Sequence, residues 1–132
     1  MATVITPNLD EAAVLLGHPL KSLADLAPAA AALHTRHGCA VLLKGGHLAT
    51  AEATDLLLDS QGTLTLSSPF IKGVSTHGTG CTFASALACG LGAGLGIEDA
   101  FVQAVRFVRI AIVHAPGFGS GNGPLGHHEV TD

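Results

Sequence analysis

A glycine-rich entry into a helix is the sequence feature that most constrains the fold. Residues 76–82 read Thr-His-Gly-Thr-Gly-Cys-Thr, and a run of small and apolar residues follows from Phe83 to Ala88. Glycines in such a loop leave backbone N–H groups uncovered, and the helix that follows points the positive end of its dipole at them. The stretch therefore predicts a site for an anion, most often a phosphate. A packing role alone is the competing interpretation, and the rest of the chain decides between the two.

The composition restricts the class of protein. The chain has 132 residues, of which 48% are hydrophobic and 12% charged, as expected for one α/β domain or part of one. Its net charge of −4 and its lack of a Lys/Arg cluster make nucleic acid an unexpected partner. The most apolar stretch, residues 83–97, contains four glycines, so no membrane span is expected. Three cysteines without CxxC spacing favour a reducing cytoplasm over a disulfide framework or a zinc site.

The predicted elements alternate between strand and helix. Residues 4–7 read as the end of a buried strand, and Asn8 with Glu11 forms a capping box for a helix that ends at Gly17. A second helix is expected from Ser22 to Gly38. A buried strand, a hairpin, the glycine loop and two helices follow, at residues 39–43, 54–67, 78–80 and beyond. This order predicts α/β layers with ligands at the carboxyl ends of the strands.

Four features could carry chemistry, and each has a simpler explanation. The loop Gly78, Thr79 and Gly80 could hold an anion, and Cys81 beside it could be a thiolate favoured by the helix dipole. Lys44 follows a buried strand and could meet a phosphate. Taken separately, however, Cys81 could be a small buried residue and Lys44 a solvated turn residue.

Asn8 and Glu11 make up the fourth feature. They could orient a magnesium ion through water, since this cation prefers oxygen ligands, or they could only cap the helix. The remaining candidates are given packing or tail roles: Cys39 and Cys89 as packing residues, and His127 with His128 as a poorly tied tail in preference to a part of the site.

Three motifs in order make a family resemblance specific. They are residues 6–11 (Thr-Pro-Asn-Leu-Asp-Glu), residues 41–47 (Val-Leu-Leu-Lys-Gly-Gly-His) and residues 75–82 (Ser-Thr-His-Gly-Thr-Gly-Cys-Thr). Together with the Gly-rich residues 119–124 they resemble the C-terminal half of a hydroxymethylpyrimidine/phosphomethylpyrimidine kinase of thiamin biosynthesis. The resemblance implies a three-layer α/β/α ribokinase-like fold, with strands, a hairpin and about four helices, and residues 1–132 as the C-terminal part of a single kinase domain.

The resemblance also implies roles by position. Gly78, Thr79 and Gly80 would form the anion hole for the transferred phosphoryl group, and Cys81, where most ribokinase-like enzymes have Asp, would activate the substrate hydroxyl. Lys44, with Thr79 and Gly80, would contact the phosphates of ATP. Asn8 and Glu11 match the NxxE motif linked to Mg²⁺. ATP would be the co-substrate, and hydroxymethylpyrimidine or its phosphate the small-molecule substrate.

The length departs from the family, whose members are roughly twice as long. The N-terminal half, which supplies most contacts to the pyrimidine, is missing, so pairing with that half or a homodimer is expected. Two alternatives stay open: a pyridoxal kinase of the Cys-containing type, and a non-catalytic remnant or assembly half.

Overall fold

The computed structural model describes residues 2–46, 52–69, 78–117 and 123–131. The chain divides into two compact units, residues 1–70 and residues 71–132, each described by itself below. Within the described residues, no helix is long and apolar enough to cross a bilayer.

The first unit is a four-stranded mixed sheet with two helices. Strands β1 and β2 are parallel, whereas β2, β3 and β4 are antiparallel neighbours, and the sheet order is β1-β2-β3-β4. The elements are β1 (Val4–Ile5), α1 (Leu9–Leu16), a 3₁₀ turn (Leu23–Asp25), α2 (Leu26–His37), β2 (Ala40–Lys44), β3 (Glu52–Leu58) and β4 (Thr63–Pro69). The predicted strands, helices and hairpin of this part are confirmed, with strand ends shifted by one or two residues.

Helix α1 begins and ends where the sequence predicts, whereas α2 begins later than the predicted Ser22, at Leu26, because Leu23–Asp25 form a 3₁₀ turn. Helix α1 has Asn8 as its N-cap in a complete capping box with Glu11, and Gly17 at its C-cap has a φ of 82°. Helix α2 ends at Gly38 with a φ of 63°, a left-handed conformation that costs glycine little. The capping box and the two C-cap glycines are local signals, and they mark three of the four ends of these helices.

Strand β2 is the centre of the core. Val41, Leu42 and Leu43 are fully buried, as predicted for a strand covered on both faces. Val41 and Leu43 share one face with Leu56 of β3, and this face packs against Ala30 and other apolar residues of α1 and α2. Hydrophobic burial on this face positions the strand ends that carry polar residues.

The hairpin turn between β3 and β4 is held by one side chain. Asp59 Oδ1 accepts hydrogen bonds from the backbone N–H groups of Gln61 and Gly62, at 2.7 and 3.1 Å. This arrangement, in which an Asp side chain satisfies the turn amides, is the usual reason for Asp in tight turns. The predicted turn at residues 60–62 is confirmed.

The second unit pairs two helices, α3 (Thr79–Gly92) and α4 (Ile97–Val113), followed by a 3₁₀ turn (His127–Glu129). A Cβ on Gly90 would lie 3.1 Å from Cβ of Ala100, so the small residue lets the helices approach closely, as predicted. Phe83 and Phe101 pack edge to face, with ring centroids 6.4 Å apart. Helix α3 begins at Thr79, so Thr79 and Gly80 belong to its first turn rather than to a preceding loop.

We expect Gly45→Ala to destabilise the chain by roughly 1–3 kcal/mol. A Cβ at this position would lie 1.8 Å from the carbonyl oxygen of Thr54, and a backbone atom cannot move aside without shifting β3. Gly92→Ala is the matched control, because a Cβ there meets no atom within 4 Å. Denaturant unfolding should show a loss for the first variant and a small gain for the second, and equal midpoints would contradict the packing account.

Candidate active site

The first turn of α3 has the geometry of an anion site. Gly78 is the N-cap with a φ of 83°, and the first intrahelical hydrogen bond runs from Thr82 N–H to the carbonyl oxygen of Gly78 at 2.9 Å. The amides of Gly80 and Cys81 precede that bond, at the end of the helix where the dipole is positive. A side chain on Gly78 would meet no atom within 4 Å, so the left-handed φ, and not lack of space, favours glycine there.

Cys81 is exposed to solvent in this first turn. It is the third residue of α3, and its thiol forms no disulfide. The alternative that Cys81 is a small buried residue is therefore wrong. Cys39 is buried, as predicted, but the prediction that Cys89 is a packing residue is also wrong because Cys89 is exposed on α3.

His127 lies against the same turn of α3. Its Nε2 is 2.8 Å from Oγ1 of Thr82, and its ring centroid is 6.4 Å from that of Phe107. The segment is tied to α4 by a hydrogen bond from Gly126 N–H to the carbonyl oxygen of Ala111 at 2.8 Å. The preferred interpretation of His127 as a poorly tied tail is wrong. The available signal in the sequence was the apolar Leu125 two residues earlier, and the structure shows it to be only 5% exposed.

Asn8 and Glu11 cap helix α1. Asn8 Oδ1 accepts the Glu11 N–H at 2.8 Å, and Glu11 Oε2 accepts the Asn8 N–H at 2.8 Å. The capping role is confirmed, and the second carboxylate oxygen of Glu11 takes no part in it. The described residues contain no group of three or more His, Cys, Asp or Glu side chains that could hold a metal ion.

Lys44 is the last residue of β2 and is half-buried. Its N–H donates to the carbonyl oxygen of Pro7 at 2.9 Å, and an isolated parallel bridge joins it to Asn8. The interpretation of Lys44 as a solvated turn residue is therefore wrong. The structure brings Asn8, Glu11 and Lys44 together at one end of the first unit, whereas Gly78, Thr79, Gly80 and Cys81 cluster in the second.

Sequence reasoning missed Asp55. This half-buried residue of β3 pairs directly with Lys44 across the antiparallel ladder, and its Oδ1 accepts the Gly45 N–H at 3.1 Å. Burial raises the pKa of Asp55 to about 6, although the Gly45 hydrogen bond and the charge of Lys44 both act to lower it. The signal was an acidic residue next to three leucines in a predicted strand, but only the strand register reveals its partner.

The raised pKa predicts how stability depends on pH. Between about pH 4 and pH 6 the folded chain keeps a proton on Asp55 that the unfolded chain has lost, because the pKa rises on folding from 3.8 to about 6. The unfolding free energy therefore falls through this window by at most about 3 kcal/mol. Asp55→Asn, which keeps an acceptor for Gly45, should be more stable than the natural chain above pH 6 and nearly equal to it at pH 4.

Urea unfolding from pH 4 to pH 8 measures this difference. Asp99→Asn is the matched control, since Asp99 is an exposed residue and its substitution should give a difference that varies little with pH. Parallel profiles for the natural chain and Asp55→Asn would contradict the buried-carboxylate account.

Comparison with known proteins identifies the family. Residues 1–126 match the family model described as phosphomethylpyrimidine kinase. The chain is 45% identical over 127 residues to a hydroxymethylpyrimidine/phosphomethylpyrimidine kinase from Streptomyces coelicolor, and 43% identical over 124 residues to one from Bacillus subtilis. These matches cover 96% and 93% of this chain but only 47% and 46% of the two relatives.

Solved structures show the same fold. An ADP complex of pyridoxal kinase from Bacillus subtilis superposes with a TM-score of 0.89 at 37% identity, covering 97% of this chain and 49% of that one. The predicted α/β ribokinase-like fold is thereby confirmed. Residues 47, 75–77 and 119–122 of the family motifs lie outside the described residues. The chain belongs to the phosphomethylpyrimidine kinase family, and it spans about half the length of these two curated relatives.

Proposed function

We propose that this chain is the nucleotide-binding part of a kinase that uses ATP to phosphorylate hydroxymethylpyrimidine or its monophosphate. The observation that carries the proposal is the first turn of α3, where Gly78 opens the helix and exposed Cys81 stands beside the leading amides. The names of the relatives support the substrate class, and the motifs that resemble the pyrimidine kinases of thiamin biosynthesis support a place in that pathway. The ADP complex of the structural neighbour supports use of a nucleotide.

The first turn of α3 would stabilise the transferred phosphoryl group. Phosphoryl transfer needs positioning and charge stabilisation more than covalent catalysis, and preorganised N–H donors supply both. The first turn of α3 follows directly on Gly78, so its leading amides would point toward a single bound anion. Thr79 and Gly80 would also contact the γ-phosphate of bound ATP before transfer.

Cys81 would be the general base. In the proposed step the substrate oxygen forms a bond to the γ-phosphorus while the bond from that phosphorus to the bridging oxygen of ADP breaks. The hydroxyl proton passes to the Cys81 sulfur. Exposure of Cys81 in the first turn supports this role, because a base must reach its substrate within hydrogen-bond distance.

The nucleotide and its magnesium ion would be bound in part by Lys44, Asn8 and Glu11. The Lys44 ammonium would pair with the ATP phosphates, since β2 places it beside Asn8 at the end of the strand. Asn8 and Glu11 would hold Mg²⁺ through water, using oxygen atoms of the kind this ion prefers. Magnesium would neutralise phosphate charge when bound.

Further polypeptide would complete the substrate side. We propose that residues 1–132 are the C-terminal part of one kinase domain, and that the missing N-terminal half, or another copy, covers an open groove beside β1. Its lining includes Ile5, Pro7, Leu15 and Val14, of which Val14 is 82% exposed, an unusual exposure for an apolar residue. A cytoplasmic location would suit three cysteines that form no disulfide.

Magnesium–ATP should protect Cys81 from alkylation. Bound phosphates at the first turn of α3 would cover its thiol but leave Cys89, which is also exposed and lies on the same helix, as an internal control. Mass spectrometry after a short iodoacetamide pulse should show at least about fivefold slower modification of Cys81 with ATP and an unchanged rate at Cys89. Equal rates at Cys81 with and without ATP would argue against a nucleotide at this turn.

A chimera tests the reaction itself. Replacing the matched segment of the Bacillus subtilis relative with this chain should give an enzyme that phosphorylates hydroxymethylpyrimidine or its monophosphate. Liquid chromatography with mass spectrometry measures the phosphorylated product. Cys81→Ser in the chimera should lower kcat by at least about 100-fold, because it removes the base, whereas Cys89→Ser should stay within about twofold. A folded chimera that binds ATP without transferring phosphate would refute the function, and near-normal activity of Cys81→Ser would refute the base.

Pyridoxal phosphorylation is the second candidate. It is favoured by the 37% identity and shared fold with a pyridoxal kinase. The chain alone and the chimera should therefore be assayed with pyridoxal beside the pyrimidines. Activity only in the chimera would support an assembly half, and activity of the chain alone would show that the substrate side is not required.

A further inference from the structure

We propose that Asp55 is a positioning residue for nucleotide binding, acting through the hydrogen bond from Gly45 N–H that fixes where Lys44 leaves the sheet. The proposal rests on the proposed function, because it assumes that Lys44 pairs with the phosphates of ATP. Neither Asp55 nor Gly45 needs to touch the nucleotide in this account.

The backbone around Lys44 is held from both sides. On one side, Lys44 N–H donates to Pro7 at 2.9 Å, and a bridge joins Lys44 to Asn8. On the other side, Lys44 pairs with Asp55 at the end of the β2–β3 register. The last support is the Asp55 side chain, whose Oδ1 accepts the N–H of Gly45 at 3.1 Å.

The hydrogen bond between Asp55 and Gly45 lies at the point where the backbone pairing of β2 with β3 ends. Strand β2 ends at Lys44, while β3 continues toward its own start at Glu52. Gly45 passes so close to Thr54 that a Cβ would lie 1.8 Å from its carbonyl oxygen. The chain is therefore pressed against β3 at Gly45, and the Asp55 carboxylate satisfies the amide that is buried there.

The position of the carboxylate links it to Lys44. Residues directly opposite in an antiparallel pair project to the same face of the sheet, so Asp55 and Lys44 share a face. Loss of the Gly45 hydrogen bond would free the turn one residue beyond Lys44. The ammonium group would then sample more positions, and its pairing with a phosphate would cost more conformational entropy.

Two substitutions separate the acceptor from the charge. Asp55→Asn and Asp55→Ala both remove the negative charge, but only Asn keeps an oxygen that can accept the Gly45 N–H. Asp55→Asn should bind magnesium–ATP as tightly as the natural chain or more tightly, since it removes a negative charge near a polyanion. Asp55→Ala should bind ATP about fivefold more weakly than Asp55→Asn.

Substitution of Lys44 distinguishes a positioning role of Asp55 from a purely structural one. In a Lys44→Ala background the two Asp55 variants should bind ATP within about twofold of each other, because the positioned group is gone. Asp59→Ala is the matched control: Asp59 also accepts backbone N–H groups in the same hairpin, but at its turn, and its loss should leave ATP affinity unchanged. If Asp55→Ala does not fold, Asp55→Val removes the acceptor while suiting a strand.

Isothermal titration with magnesium–ATP, and with adenosine as the comparison, measures these affinities. Equal affinities of the Asn and Ala variants, or a ratio that persists without Lys44, would overturn the role of Asp55 and leave the proposed function standing. An unchanged affinity in Lys44→Ala would overturn the roles of Lys44 and Asp55 alone, whereas a natural chain that binds ATP no better than adenosine would overturn the proposed function as well.

Discussion

Strand β2 is the constraint on which the first unit depends. Val41, Leu42 and Leu43 are fully buried, and the two edges of the strand pair with β1 and β3. Because side chains alternate along a strand, this burial determines the face on which Lys44 leaves the sheet and the residue that stands opposite it. A shift of register by one residue would exchange Asp55 for a leucine or a threonine and turn Lys44 to the other face. The apolar core thus determines where the polar side chains of Lys44 and Asp55 lie.

Each unit offers its own way of holding a phosphate. In the second unit, Gly78 and the leading amides of α3 offer neutral donors and a helix dipole, whereas in the first unit Lys44 offers a full positive charge. A chain with only six Lys and Arg residues among 132 has few cationic side chains, so we expect the helix terminus to contribute more to phosphate binding than Lys44 does. His127 lies next to this turn of α3, where its hydrogen bond to Thr82 holds an imidazole against the residue after Cys81.

Local signals account for what could be predicted from the sequence. The capping box at Asn8 and Glu11, the C-cap glycines and the buried strand each depend on residues that are neighbours in the chain. The start of α3 was misplaced because glycine within a first helical turn resembles a loop. The pairing of Lys44 with Asp55 and the contact of His127 with Thr82 join residues 11 and 45 positions apart, and no local pattern encodes such contacts. The sequence does not predict the exposure of Cys89, because its neighbours on the helix are small residues. Only the packing of α3 shows which face of the helix is buried.

An NMR titration of ¹⁵N-labelled chain with magnesium–ATP tests most directly the proposal that the first turn of α3 holds the phosphates of a nucleotide. The glycine amides report on different parts of the chain separately. We predict the largest chemical-shift changes at Gly78 and Gly80, with a change at Gly45 as the independent sign that Lys44 contacts phosphate. Unchanged signals of Gly78 and Gly80, or changes centred on glycines such as Gly17 or Gly62, would contradict the proposal.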